Sequence, residues 1–437
     1  MSTETIDLKS QLIADFNSRE KAINGKAQTS FHQAKRKALH TFETLGFPTP
    51  RNEEWKYSNV KNLISQTYDF EAAHAITADL LNDVRIPNLS GNVLFFINGK
   101  YEAGLSTIVS PAEQLTILPL QEAVETQAEV FEAHFGTLAD ATTEAFTALN
   151  TAFAGEGLFL HVPAGAVVEQ PVILHFINDT RQQNVGTQPR NLFIIEKNAE
   201  LLITETFMTV GDAHSFTNSV TEIHMAPEAR VQYYKVQNES DQAYHVGTTQ
   251  VRVSDNGHFY AATVSLNGGF IRNNLNIALD GEHCEAFMYG LYFPDGKQHI
   301  DNHTIADHRK PNSQSNELYK GVLRGKSTGV FNGKIFVRED AQKTNAFQSC
   351  KNVVLSTEAT MNTKPQLEIF ADDVKCSHGT TTGQLDEEAL FYMRSRGISK
   401  PEALSLLMFA FCEDVISQIK IESIREYLEG IILKKLS

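Results

Sequence analysis

The spacing of apolar residues changes twice along the chain. In "DLKSQLIADFNSREKAIN", from Asp7 to Asn24, Leu8, Leu12, Ile13 and Phe16 recur at helical spacing. "FHQAKRKALHTFETLG" repeats that period and stops at Gly46, with Pro48 and Pro50 behind it. "RNEEWKYSNV" follows and carries the single tryptophan, Trp55, read as an aromatic anchor between the helical region and its neighbour. Roughly the first eighty residues are thus expected to be helical.

From about Asn92 to about Gly379 the runs become short and β-rich. "NVLFFINGKY", "GLFLHVPAGAVVEQPVILHF", "NLFIIEKNAELLITETFM" and "GHFYAATVSLNGG" are strands punctuated by Asn, Gly, Pro and Asp. A small turn followed by a fresh strand recurs at "NAELLI", "EARVQYY", "NGHFYAA" and "HCEAFMY". Taking Leu201, Val231, Phe259 and Phe287 as equivalent gives steps of 30, 28 and 28 residues. Stacked coils that bury their apolar face only against neighbouring coils give such a period. Clear hairpin signals are few, so a parallel β-helix fits better than a sandwich; a jelly roll is also compatible with the pattern.

Beyond Gly379 the helical period returns. Asp386 caps "LDEEALFYMRSRG". Ser399 and Glu402 stand at capping-box spacing, with Pro401 in the first turn. Leu404, Leu407, Met408, Phe411, Val415 and Ile419 form the expected apolar stripe, and "ESIREYLEGIILKKL" is a further helix. The expected class is mainly β: a helical region at 1–90, a parallel β-helix at 91–380 and a helical region at 381–437.

The chain has 437 residues and a net charge of -15, which disfavours nonspecific nucleic-acid or anionic-membrane binding. Met1–Ser10 has no leader pattern, and no apolar run is long enough to span a bilayer. Cys284, Cys350, Cys376 and Cys412 are widely spaced, as expected of reduced cytoplasmic thiols. There is no GxxxxGK[ST], GxSxG or HExxH motif, so no catalytic residue is assigned. Polysaccharide lyases and hydrolases are the rival β-helix class, but no acidic or basic cluster on one coil face stands out.

The candidate chemistry lies in "ADDVKCSHGTTTGQ". Residues two apart on a strand share a face, so Cys376 and His378 present sulfur and nitrogen together. Two ligands do not close a metal site, so no metal is expected to be held by this chain alone. His283–Cys284 is read as coincidence, because neighbours on a strand face opposite ways. His299, His303 and His308 are the nearest approach to a histidine group, in a stretch that reads as loop.

"KPQLEIFADDVKCSHGTTTGQLDEEALFYMRSRGISKPEALSLLMFAF" resembles the C-terminal signature of the SufB/SufD family of iron–sulfur assembly scaffolds, on its SufD branch. "RNEEWKYSNV" is similar to the Glu-x-Trp-Lys-Tyr element of that branch. "DAQKTNAFQSCKNVVLS" resembles the late β-helix coils. The SufB branch carries a Glu-His-Glu segment and clustered N-terminal cysteines, which are missing here. The resemblance implies a right-handed parallel β-helix and a non-catalytic scaffold that pairs with SufB and docks the SufC ATPase. It further implies a homodimer in isolation, no tightly bound cofactor, and His378, with Cys376, at the SufB interface where a transient Fe–S cluster is held.

Overall fold

The computed structural model describes residues 7–21, 29–77, 81 and 85–436. The leader reading at Met1–Ile6 and the stretch Ala22–Asn24 lie outside them. Two long sheets are stacked face to face. The first runs in space from Lys100–Tyr101 and Asn92–Ile97 through Val172–Asp179, Glu200–Val210, Arg230–Asn238, His258–Asn267, Glu285–Tyr292, Gln314–Leu323 and Asn345–Val354 to Lys375–Gly383. The second runs from Thr116–Pro119 and Leu158–Val162 to Thr360–Ile369. The chain alternates between them, and each strand from Val172 onward pairs in parallel with the strand one coil away. The result is a flattened β-solenoid of about 8 turns.

One corner repeats in the backbone. Asn198, Glu228, Asn256, His283, Asn312 and Lys343 all take positive φ, between 54° and 65°. Each stands two residues before a strand of the first sheet. The residue after the corner turns inward and is small: Ala199, Ala229, Cys284, Ser313 and Thr344 are all at 0% exposure. His283–Cys284 is therefore a turn, not the strand expected from the sequence. His283 holds the left-handed corner, and Cys284 fills the small position beneath it.

The register corrects one equivalence. Leu201 pairs with Val231 and Val231 with Phe259, but Phe259 pairs with Ala286. Phe287 pairs with Tyr260 on the outer face. A slip of one residue moves a side chain to the other side of the sheet. Size had favoured Phe287, whereas the interior there takes Ala286, at 0% exposure.

Helices cover both outer faces. Leu8, Leu12, Phe42, Trp55 and Phe146 pack on Phe216, Val246 and Phe270 of the second sheet. Met408, Cys412, Val415, Ile416, Ile419, Leu428 and Ile432 pack on Tyr234, Val236, Val264, Leu291 and Val322 of the first. Strands sandwiched in this way are apolar on both faces, which blurs the period-2 signal. Three helices, Leu120–Thr126, Ala128–His134 and Ala145–Phe153, stand inside the stretch expected to be β. Two of them have 7 residues, below the length at which a helical period can be told from a strand.

In the Lys400–Ile416 helix, Ser399 Oγ accepts from the Glu402 N–H at 3.4 Å and Asp386 caps the preceding helix. The buried stripe is rotated from the expected one. Ala403, Met408, Cys412, Val415 and Ile416 are buried, while Leu404, Leu407 and Phe411 are only partly so.

The solenoid interior is not wholly apolar. Glu205 accepts from Asn191 at 3.1 Å and Thr221 at 3.0 Å, with the Lys235 ammonium 3.7 Å away, all fully or nearly fully buried. Burial pushes the Lys235 ammonium below its ordinary range, against the pull of Glu205.

The two ends of the solenoid differ. At one end the sheets finish in short antiparallel strands of 2 and 4 residues. At the other they finish in full-length parallel strands, Thr360–Ile369 and Lys375–Gly383, of 10 and 9 residues. These are the outermost strands of their sheets, so each presents a row of backbone groups with no ladder partner.

Candidate functional site

Cys376 and His378 lie on that final strand. Cys376 pairs with Ala346 and His378 with Gln348. Ala346 and Gln348 are buried inward-facing residues, so the thiol and the imidazole project toward the interior at the open end. Cys376 packs half-buried against the main core. Burial pushes its thiol up from the ordinary range, and a hydrogen bond with the Ala346 backbone partly offsets this. His378 is exposed. The structure thus puts the predicted pair on one face, as the two-residue spacing required.

The other thiols are structural. Burial pushes Cys284 up to about 11, Cys350 up to about 12 and Cys412 higher still. A thiolate is the ligand and nucleophile form, and none of these three is poised to supply one.

The stretch read as a loop, with its three histidines, is a strand, His299–His308. Its alternation separates them. His299 and His303 lie on the outer face, His308 inside. His299 stacks on Phe270 at 5.1 Å, and His308 lies 2.9 Å from Ser315 Oγ. His303 contacts Asp301 at 3.0 Å and Glu54 at 3.5 Å. Among the described residues, no three His, Cys, Asp or Glu side chains are grouped to hold a metal.

Instead these residues receive the Glu-x-Trp-Lys-Tyr element. Trp55, at 5% exposure, stacks on Phe146 at 5.2 Å and takes the Arg272 guanidinium over its face at 4.0 Å. Arg272 reaches Asp301 at 3.0 Å and donates to the Glu54 carbonyl at 2.6 Å. The hydrogen bond with His303 holds the Glu54 carboxyl down to about 2. Burial would raise Asp301, but His303 and Arg272 hold it below the ordinary range. Glu53 pairs with Lys364 of the last coil at 2.6 Å. Trp55 is the anchor its sequence context suggested, and the element ties the helical layer to the end of the solenoid.

Two residues beside His378 escaped the sequence reading. Gln348 lies one rung below it, and Glu317 one rung below Gln348. Burial pushes the Glu317 carboxyl up to about 7. The coil period would have found both, since the three positions lie about one repeat apart.

The architecture is thus a helix-flanked β-solenoid with a thiol–imidazole pair on its terminal coil. The model for "SUF system FeS cluster assembly, SufBD core domain" matches residues 176–411, more than half of the chain, and that for the SufBD N-terminal region matches 6–174. An iron–sulfur cluster assembly SufBD family protein of Synechocystis is 30% identical over 93% of this chain and 92% of its own. The iron–sulfur cluster assembly protein SufD of Escherichia coli is 29% identical over 90% of each. The chloroplastic protein ABCI7 of Arabidopsis thaliana is 31% identical over 64% of this chain and 61% of its own. The chain belongs to the SufBD family of iron–sulfur cluster assembly proteins and is SufD-like within it. No helix among the described residues is long and apolar enough to cross a membrane.

Proposed function

We propose that this chain is a non-catalytic scaffold subunit whose terminal coil presents His378, with Cys376 beside it, to an Fe–S cluster completed by a SufB-type partner. The observation that carries the reading is the position of His378. It is exposed on the inward face of an edge strand, with one soft donor as neighbour and, among the described residues, no further ligand set around it. An incomplete set of this kind binds iron weakly, because water fills the remaining positions. A partner seated on the open end supplies ligands and excludes solvent. Thiolate with imidazole is established Fe–S ligation. The cluster is cargo, and no resident cofactor is assigned.

The same geometry supports the reading of the partners. The unpaired strands, with Phe370 at 60% and Phe347 at 45% exposure beside them, suit edge-on pairing with a SufB-type solenoid, or with a second copy when that partner is missing. The Glu387–Ser395 helix buries none of its residues, and Phe391 and Tyr392 are 75% and 59% exposed. That helix and the turn after it, Arg394–Lys400, are the proposed dock for a SufC-type ATPase. Unpaired thiols suit the cytoplasm.

The test is co-expression with SufB and SufC, anaerobic purification, and an iron and sulfide count. His378→Ala is expected to leave subunit stoichiometry intact and lower cluster content. Full cluster yield from that complex overturns the ligand role.

A further inference from the structure

Glu317, Gln348 and His378 form one inward column at the end of the first sheet. Rungs of a ladder are about 4.8 Å apart, which brings each side chain within reach of the next. Glu317 and Gln348 are buried, at 2% and 3% exposure. Gln348 Nε2 donates to Glu317 Oε2 at 2.8 Å. An ionised carboxylate only accepts, so this bond fixes which way round the amide sits. Gln348 Oε1 is then left buried without a partner. Gly333 makes room for the arrangement, since a Cβ there would come within 2.2 Å of Gln348 Nε2. An unpaired buried carbonyl calls for a donor, and the side chain on the next rung is an imidazole.

We infer that Glu317 and Gln348 are positioning residues for His378: Glu317 orients the amide, Gln348 Oε1 accepts one imidazole N–H, and the other ring nitrogen keeps its lone pair for a metal. A hydrogen bond from the far ring nitrogen is how a ligating histidine has its tautomer set. The inference rests on the ligand reading of His378 and deepens it. No cation is among the groups that act on the Glu317 carboxyl; Gln348 is its hydrogen-bond partner, and its other oxygen, Oε1, is buried without one. Its titratable neighbours, Tyr319 and Cys350, are held neutral by burial.

The test uses the full chain without cluster, carrying isotope-labelled histidine, at about pH 8, where Glu317 is ionised. Long-range proton–nitrogen correlation reads which ring nitrogen bears the proton, and His378→Ala identifies the signal. The wild-type His378 is expected in one tautomer. Gln348→Leu should return it to the mixture of a solvated imidazole. Glu317→Gln, which keeps the volume, should do the same, because its amide pairs with Gln348 either way round. A tautomer mixture in the wild type, or a single tautomer in both variants, overturns the inference. In the complex with SufB and SufC, Gln348→Leu should weaken cluster retention about tenfold. If His378→Ala retains full cluster while the tautomer result holds, the ligand reading fails and the positioning stands.

Discussion

Replacing Glu317 by Gln should make the protein more stable at pH 8 and leave it unchanged at pH 4. The Glu317 carboxyl moves from an ordinary 4.5 to about 7 in the fold. Burial is the cause, and the hydrogen bond from Gln348, with the Thr304 hydroxyl nearby, only partly compensates. The folded state therefore prefers the neutral acid. Below the unfolded value both states hold the proton, and nothing is lost. Between the two values the folded state binds more protons than the unfolded one, so stability falls as pH rises. The displacement corresponds to roughly 3 kcal/mol, fully expressed above the folded value. A glutamine has no such proton. Its amide still pairs with Gln348, either way round, so the penalty disappears while the contact stays. For a chain of this size about 3 kcal/mol is worth roughly 3–6 °C in Tm. The assay is thermal unfolding of both proteins from about pH 4 to 8. Titrations shared by both proteins, such as those of Glu54 and Asp301, cancel in the difference. An offset that does not vary with pH, or a less stable variant at the alkaline end, refutes the reasoning.

Other expectations follow from the packing. Trp55→Ala removes a side chain held between Phe146 and Arg272 and should cost about 3–5 kcal/mol, read from the denaturant midpoint; a loss under about 1 kcal/mol contradicts the anchor role. Cys376→Ala should cost on the order of 1 kcal/mol and lower cluster content less than His378→Ala; an equal loss of cluster would make the thiol an equal ligand. Phe391→Asp with Tyr392→Asp should abolish SufC pull-down while SufB still binds, and retained SufC binding removes that helix from the dock. Deleting everything after Gly383 is a poorer probe, because it strips the cover from Tyr234, Val264, Leu291 and Val322.

The coil period was legible because the corner is chemically constrained. A left-handed position followed by a small inward residue recurs at Asn198–Ala199, Glu228–Ala229 and Asn256–Gly257. The Phe287 slip shows the limit: apolar size marks a strand but does not say which face a residue takes. His299–His308 was hidden because its interior face carries Asn302 and Thr304 beside Ile300 and Ala306. That leaves no clean alternation to read. Cys376 and His378 were legible because their relation is local, two residues on one strand. Glu317 and Gln348 are legible only through the coil period, because each meets its neighbour one whole coil away.

The unequal ends of the solenoid set a direction for its motions. A stacked coil is held by its neighbours on both sides, and the outermost coil by one. At the start of the ladder the short antiparallel strands act as a stop. At the finish the strands are left mostly exposed or half-buried. Opening therefore runs inward from the finish, like a zip with a stop at one end only. Amide exchange should show a gradient, fastest at Lys375–Gly383 and slowing coil by coil toward Glu200–Val210. A subunit bound there closes the zip, so assembly should slow exchange most in the strand that carries His378. A copy without the proposed partner would keep that coil open to proteases. On the proposed function, the coil that would offer a ligand to a partner would also mark out a copy that has none.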